Sequence, residues 1–385
     1  MKITKIEAIP LRISNVSAAA NDGAQETVLV KVHTDSGITG IGEVDASPHM
    51  VKAVIEAPSS HNWSLSFHDL LVGENPLDVE RLWDKMYQGT IYTGRRGLVI
   101  HAIGAVDFAL WDIAGQALCR PVFELLGGPR RDVVIPYASV HPPIATLAET
   151  ERRTRELMEK VMELGYRAVK LQLVYSEVYA DTDIVRLVRM ARKIIGDDMT
   201  FMIDVGYRWM DSKAAIWTVR QLEDCNLYFV ETPLRMDDLD GHARLAEAVT
   251  TRIAGAELLA SRWEALDLMD RGKVDVIQPD VGRAGGLTES LRIAKLADDR
   301  GLLCTPHGWK SGITIAAEIH LSAAATNVPF IEFMVPELWP SVIRRDLVEP
   351  EFAPKNGVIG LPKTPGLGVR INEETARKLA WSASA

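Results

Sequence analysis

Three short apolar runs, Thr200-Phe-Met-Ile-Asp204, Leu227-Tyr-Phe-Val-Glu231 and Arg252-Ile-Ala-Gly-Ala-Glu257, each stop on a carboxylate. The acids fall 27 and 26 residues apart, the period of a strand, a loop and a helix repeated as one unit. If the strands are parallel neighbours, the three acids emerge side by side at one end of a sheet. Carboxylates that close repel one another, so the arrangement makes sense only around a cation. Oxygen-only ligands with no nearby Cys or His point to a hard ion, Mg²⁺. Taken singly, each acid reads equally well as a helix N-cap or a solvated loop residue; three in register do not.

The same alternation extends over most of the chain. From Asp132 onward the strand candidates are Val133–Ser139, Ala168–Leu173, Thr200–Val205, Leu227–Glu231, Arg252–Glu257, Val274–Asp280, Leu302–His307 and Phe330–Phe333. Helical periodicity fills the gaps, most clearly at Glu149–Leu164, Thr182–Ile195 and Leu287–Arg300. Eight strands alternating with helices predict an α/β fold, a TIM-type (β/α) barrel with a weak last helix, because the chain turns irregular and Pro-rich after Phe333. Before the barrel, Lys2–Arg12, Thr27–His33 and Ile38–Glu43 alternate as a small antiparallel meander. Asn75-Pro-Leu-Asp78 reads as a helix cap with Pro in the first turn, and Val99–Ala117 as a nearly all-apolar helix. The expected organisation is an N-terminal α+β capping domain at 1–130, a catalytic barrel at 131–345, and a C-terminal segment at 346–385 that returns to the cap.

Composition narrows the partners. A formal net charge of −9 with no long basic run argues against nucleic acid or an anionic membrane. The N-terminus alternates like a strand and lacks the apolar core of a signal peptide, and no run of about 18 uninterrupted apolar residues occurs. Cys119, Cys225 and Cys304 are few, widely spaced and without metal-ligand spacing, and read as reduced, mostly buried thiols of a cytoplasmic protein.

Reading only the strand ends gives Lys170, Asp204, Glu231, Glu257, Asp280, His307 and Glu332, an ionisable residue on seven of the eight strands. In a barrel of this type the C-terminal strand ends carry the chemistry. At this point the chain resembles the enolase superfamily, and within it the mandelate racemase branch. The resemblance rests on Gly40-Ile-Gly-Glu43, Gly94-Arg-Arg-Gly97, Ala105–Ile113 and Leu125-Leu-Gly-Gly128 in the first domain. In the barrel it rests on Val169-Lys-Leu-Gln172, Ile203-Asp204, Val230-Glu-Thr-Pro233, Gly255-Ala-Glu257, Gln278-Pro-Asp280 with Gly285-Gly286, Thr305-Pro-His-Gly308 and Ile331-Glu332. It implies that Asp204, Glu231 and Glu257 hold Mg²⁺, that Asp280 and His307 form a dyad, and that Glu332 hydrogen-bonds the substrate carboxylate. It also implies symmetric homo-oligomers and loops around Asn15–Ala24 and Glu43–Val51 that cover the barrel mouth.

The physics stands beside the resemblance. Removing a proton α to a carboxylate places a second negative charge on it, and a divalent cation stabilises that charge. Lys170 adds a positive charge for an anionic substrate. His307, with an ordinary pKa of about 6.5, suits the base, and Asp280 would fix its tautomer. Many members of the branch carry Lys-x-Lys on the second strand, where this chain has Lys170-Leu-Gln172. Gln172 can contact substrate but cannot take a proton. Two-base racemisation is thereby disfavoured unless Lys170 swings in, whereas elimination of a β-hydroxyl needs only His307. The expected activity is Mg²⁺-dependent dehydration of a sugar acid, an aldonate or aldarate, to a 2-keto-3-deoxy acid. A racemase, epimerase or cycloisomerase is the alternative, and a non-catalytic sugar-acid binder a third reading.

Overall fold

A computed structural model describes residues 1–17, 23–143, 145–174 and 178–382. Residues 18–22, within the expected covering loop Asn15–Ala24, lie outside the described set. The chain opens with an antiparallel meander, β1 (Ile3–Arg12), β2 (Glu26–Thr34) and β3 (Thr39–Val44), in the order β1-β2-β3. Helices α1 (Pro48–Glu56), α2 (Phe67–Leu71), α3 (Val79–Gly89), α4 (Leu98–Leu118) and α5 (Val122–Leu125) follow. Asp78 is the N-cap of α3, so Pro76 precedes that helix rather than opening its first turn. By length and hydropathy α4 could cross a membrane, yet most of it is buried inside the protein. The motif Gly40-Ile-Gly42 exists for this helix. A Cβ at either glycine would lie about 2 Å from a carbonyl oxygen of α4, Ala109 or Ala105, so only glycine lets β3 lie flush on it.

Eight parallel strands form the second body: β4 (Val133–Val140), β5 (Ala168–Gln172), β6 (Thr200–Asp204), β7 (Leu227–Glu231), β8 (Ile253–Gly255), β9 (Val276–Ile277), β10 (Leu303–Cys304) and β11 (Phe330–Met334). The helices between them are α6 (Leu147–Glu163), α7 (Asp181–Ile195), α8 (Ser212–Arg220), α9 (Leu239–Ala248), α10 (Arg262–Asp270), α11 (Gly286–Asp298) and α12 (Gly312–Ala324). The eighth, α13 (Val342–Asp346), has only five residues. The fold is therefore a modified (β/α) barrel beneath a cap. Neighbouring strands pair in sequence order and β11 returns to β4, but among the described residues β10 and β11 do not pair; the Cys304 amide reaches only the Asn327 carbonyl, at 2.9 Å.

Strands β8, β9 and β10 are shorter than their apolar runs. The backbone leaves the ladder where Ala256 turns to φ +124° and where Pro279 and Pro306 have no N–H to give. After α13 come β12 (Val348–Glu349), β13 (Ile359–Gly360), β14 (Arg370–Ile371) and α14 (Glu373–Leu379). Strand β13 pairs antiparallel with the start of β4, and β12 with β14. Farther on, Leu367 donates to Asp112 of α4, Glu373 pairs with Lys31 of β2, and the Trp381 amide donates to the Pro10 carbonyl.

Two carboxylates of the first body dock onto the barrel. Glu43, at the end of β3, is fully buried. It accepts from the Ser311 and Thr314 amides and hydroxyls at 2.7 to 3.1 Å, and from the Thr27 hydroxyl at 3.2 Å. It thus sits at the N-terminus of α12, where unpaired amides and the helix dipole favour an anion. Asp107 of α4 does the same at α11, accepting from the Thr288 amide and hydroxyl at 3.0 and 2.6 Å.

Candidate active site

Side chains alternate along a strand, so every second residue faces the barrel interior. The innermost layer is apolar: Tyr137, Ala168, Met202, Phe229, Ala254, Val276 and Phe330. Two residues farther along the same strands come Ser139, Lys170, Asp204, Glu231, Gln278 and Glu332. Period two alone therefore stacks a polar floor on an apolar plug. Glu257 breaks the parity of its strand, and the positive φ of Ala256 is the turn at which the chain departs from it. Tyr207 and Thr232 also have positive φ, +60° and +46°. Three left-handed non-glycine residues thus lie within three positions of Asp204, Glu231 and Glu257, a concentration of backbone strain typical of functional sites.

The structure places Asp204 directly across from Glu231 in the parallel ladder. Each of the three acids is turned to a protein donor. Asp204 accepts from the Thr232 hydroxyl at 2.7 Å and the Gly206 amide at 2.9 Å. Glu231 accepts from Lys170 Nζ at 2.8 and 2.9 Å and from Gln278 Nε2 at 2.8 Å. Glu257 accepts from the Tyr207 hydroxyl at 2.6 Å. Among the described residues no three His, Cys, Asp or Glu side chains close around a single point at metal-ligand range. The acids nonetheless feel one another. Burial and the Glu257 charge push Asp204 up to about 6 against the pull of Lys170. Burial together with Asp204, Glu332 and Glu257 pushes Glu231 up to about 8, although Lys170 opposes it. A crowded, oxygen-only donor set whose members resist ionisation is the chemistry that a hard dication relieves, so these residues fit Mg²⁺.

Lys170 is fully buried and held on two sides, by Glu231 and by Glu332 Oε1 at 2.8 Å. Burial alone would lower its pKa; the two glutamates outweigh it and hold the ammonium well above its usual value. Gln172 donates to the Ser139 hydroxyl at 2.8 Å, and that hydroxyl donates to Glu332 Oε1 at 2.6 Å.

His307 and Asp280 stand side by side on adjacent strand ends, with His307 Nδ1 2.8 Å from Asp280 Oδ2. Asp280 is itself oriented by the Gly282 and Arg283 amides. This leaves His307 Nε2 facing Glu257 at 3.4 Å and Glu332 at 3.9 Å. Burial pushes the imidazole down, but Glu332, Asp280 and Glu257 outweigh it and raise its pKa to about 10. The ordinary value of 6.5 assumed for a free imidazole does not hold here, because the site surrounds the ring with acids.

Several residues escaped the sequence reading. Ser139 ends the one strand without an ionisable residue, and a polar residue closing an apolar run was its signal. Tyr207 has no such signal. Asp45 is reached by Lys310 at 2.7 Å and by Arg283, whose Nε donates to the Asp45 carbonyl at 2.9 Å; these cations outweigh burial and hold its pKa at about 2. Glu318 of α12 is fully buried against Gly308, neither carboxyl oxygen is hydrogen-bonded, and burial with Glu332 and Asp280 pushes its pKa well above the usual carboxylate range. Of the three thiols, Cys225 and Cys304 are buried, but Cys119 is exposed.

Comparison with known proteins agrees with this architecture. Residues 3–127 match the model of the mandelate racemase / muconate lactonizing enzyme N-terminal domain, and residues 153–375 the enolase C-terminal domain-like model. The chain is 32% identical to an arabinonate dehydratase of Saccharolobus solfataricus, over 90% of this chain and 89% of that one. It is 29% identical to a D-galactarolactone cycloisomerase of Agrobacterium fabrum, over 93% and 92%. A crystal structure of a racemase from Streptomyces coelicolor A3(2) with bound magnesium superposes with a TM-score of 0.84 at 25% identity, covering 98% of this chain and 100% of that one.

Proposed function

The chain belongs to the mandelate racemase branch of the enolase superfamily, and from that premise we propose that it dehydrates a sugar acid to a 2-keto-3-deoxy acid. In this reading 131–345 is the catalytic unit, 1–130 its cap and 346–385 the returning segment, in a cytoplasmic homo-oligomer. Asp204, Glu231 and Glu257 would hold Mg²⁺. Bound there, the ion would supply a divalent charge that offsets the second negative charge growing on the substrate carboxylate and draws the field of Glu257 away from His307.

The chain's own residues supply the remaining steps. His307 Nε2 takes the proton from C2, and the C–H electron pair moves into the carboxylate as an enediolate. Asp280 stabilises the imidazolium through Nδ1, while Lys170 and Glu332 fix the charge balance beneath the substrate. The pair then returns to expel the hydroxyl on C3, to which His307 hands its proton, so that water leaves. The resulting enol gains a proton at C3 and becomes the ketone. One base performs both transfers when the two groups lie on the same face.

The observation that carries this reading is the confinement of Lys170. A buried ammonium held by two carboxylates is not a second base, and Gln172 cannot be one, so two-face racemisation lacks a partner for His307. Cycloisomerisation also needs one base and is the second reading, favoured by the likeness to the galactarolactone enzyme. The test is turnover of a sugar-acid library in deuterium oxide, followed by NMR. A 2-keto-3-deoxy acid with deuterium at C3 supports dehydration. A product isomeric with its substrate, with every oxygen retained, would transfer the case to the isomerase.

A further inference from the structure

The layer above the dyad differs on its two sides. Two residues beyond Ser139, His307 and Glu332 come His141, Trp309 and Met334. Trp309, Met334 and Ala24 are buried together with Trp339 packed against them. Trp339 meets Trp309 edge to face at 5.3 Å, and His141 meets Trp339 at 5.4 Å. This wall of rings rises from β10, β11 and β4, opposite the arc that carries Asp204, Glu231 and Glu257.

The neighbouring cations are turned elsewhere. Lys310 reaches Asp45 and the Glu26 carbonyl, Arg283 reaches Asp45, Arg208 pairs with Asp181, and Lys170 is held within the floor by Glu231 and Glu332. No Lys or Arg occurs at 18–22, 144 or 175–177. A substrate whose carboxylate is fixed on the acid arc cannot extend downward, because the apolar plug fills the barrel. It must extend outward, past His307 and along the rings.

We propose that Trp339 and His141, backed by the buried Trp309, Met334 and Ala24, form the subsite for the far end of the substrate and restrict it to acids whose far end is uncharged: aldonates and their deoxy forms, rather than aldarates. The inference rests on the sugar-acid reading above and narrows it. Aromatic faces accept the C–H face of a polyol chain or a terminal methyl. A second carboxylate placed against them would lose its hydration and meet no Lys or Arg.

Binding, rather than turnover, tests this without depending on the reaction. With Mg²⁺ present, C5 and C6 aldonates, 6-deoxyaldonates and aldarates of the same configurations are titrated into the full chain by calorimetry. At least one aldonate is expected to bind, about tenfold or more tighter than its matched aldarate. Trp339→Arg, at the less buried ring, should narrow or reverse that ratio, and Trp309→Phe should preserve it. An aldarate that binds as tightly as its aldonate, or no binding by any aldonate, overturns the proposal. Exchange of the C2 proton with deuterium oxide is followed separately on the bound acids. Discrimination without exchange or dehydration leaves the subsite standing and removes the proposed reaction.

Discussion

The acid arc on β6 to β8 and the dyad arc on β9 to β11 are held in place by different means. Asp204, Glu231 and Glu257 take their donors from within the barrel: Thr232, Gly206, Lys170, Gln278 and Tyr207. The helices behind Asp280 and His307 are instead capped by Asp107 and Glu43, carboxylates of the first body. Asp45 adds a third tie, to Arg283 and Lys310, each three residues beyond a dyad member. The acid side chains thus draw their donors from the barrel alone, whereas the helices behind the dyad are tied to the cap.

The sharpest way to break this comparison is on the acid arc. Asp204→Asn keeps the Thr232 contact in shape but removes a charge, and should abolish Mg²⁺ binding by calorimetry and cut turnover on the order of a thousandfold. Unchanged affinity for Mg²⁺ would take Asp204 out of the ligand set. On the dyad arc, His307→Asn should lower C2 proton exchange by about 10²- to 10⁴-fold with metal affinity intact. Exchange at the wild-type rate would place the base elsewhere.

The cap tests follow with smaller effects. Glu43→Ala strands the Ser311 and Thr314 donors and should cost about 1–3 kcal/mol or more in denaturant unfolding. Proton exchange should fall while Mg²⁺ affinity holds; the opposite pattern would invert the comparison. The smallest effect is one of pH. Burial, against the Thr288 donors, pushes Asp107 up to about 7 from an ordinary 3.8, and burial does the same for Asp112 against the Leu367 and Ile41 amides. Because the folded values lie above the unfolded ones, this contribution to stability is fully present below about pH 4 and is lost as pH rises through about 7. Denaturation midpoints should therefore decline between pH 5 and 8, and Asp107→Asn with Asp112→Asn should flatten the profile.

The barrel was legible because buried parallel strands are written as apolar runs and their ends as isolated polar residues. The strand ends could be read at Asp204 and Glu231, where the run and the ladder end together. The runs ending at Glu257, Asp280 and His307 overstated their strands, since the peptide turns out of the ladder before the functional residue. The clamps were not legible. Glu43 meets Ser311 and Thr314 across 268 and 271 positions, and nothing in the local pattern around a buried glutamate names a partner so remote. The rise of His307 to about 10 was hidden for the same reason, because it is caused by Glu332 and Glu257 as much as by its neighbour Asp280.

Those separations set an order of events during synthesis. The first forty-odd residues leave the ribosome carrying Glu43 with nothing to receive it, and α12 follows some 270 residues later. At about 5–20 residues per second the interval is on the order of tens of seconds. Meanwhile α4, apolar enough to cross a membrane, has only the other elements of its own domain to cover it, and the segment that supplies Leu367 and Trp381 follows α12. The acid arc can assemble as its strands emerge. The dyad arc gains its clamps only when Asp107 and Glu43 meet helices 181 and 271 positions later.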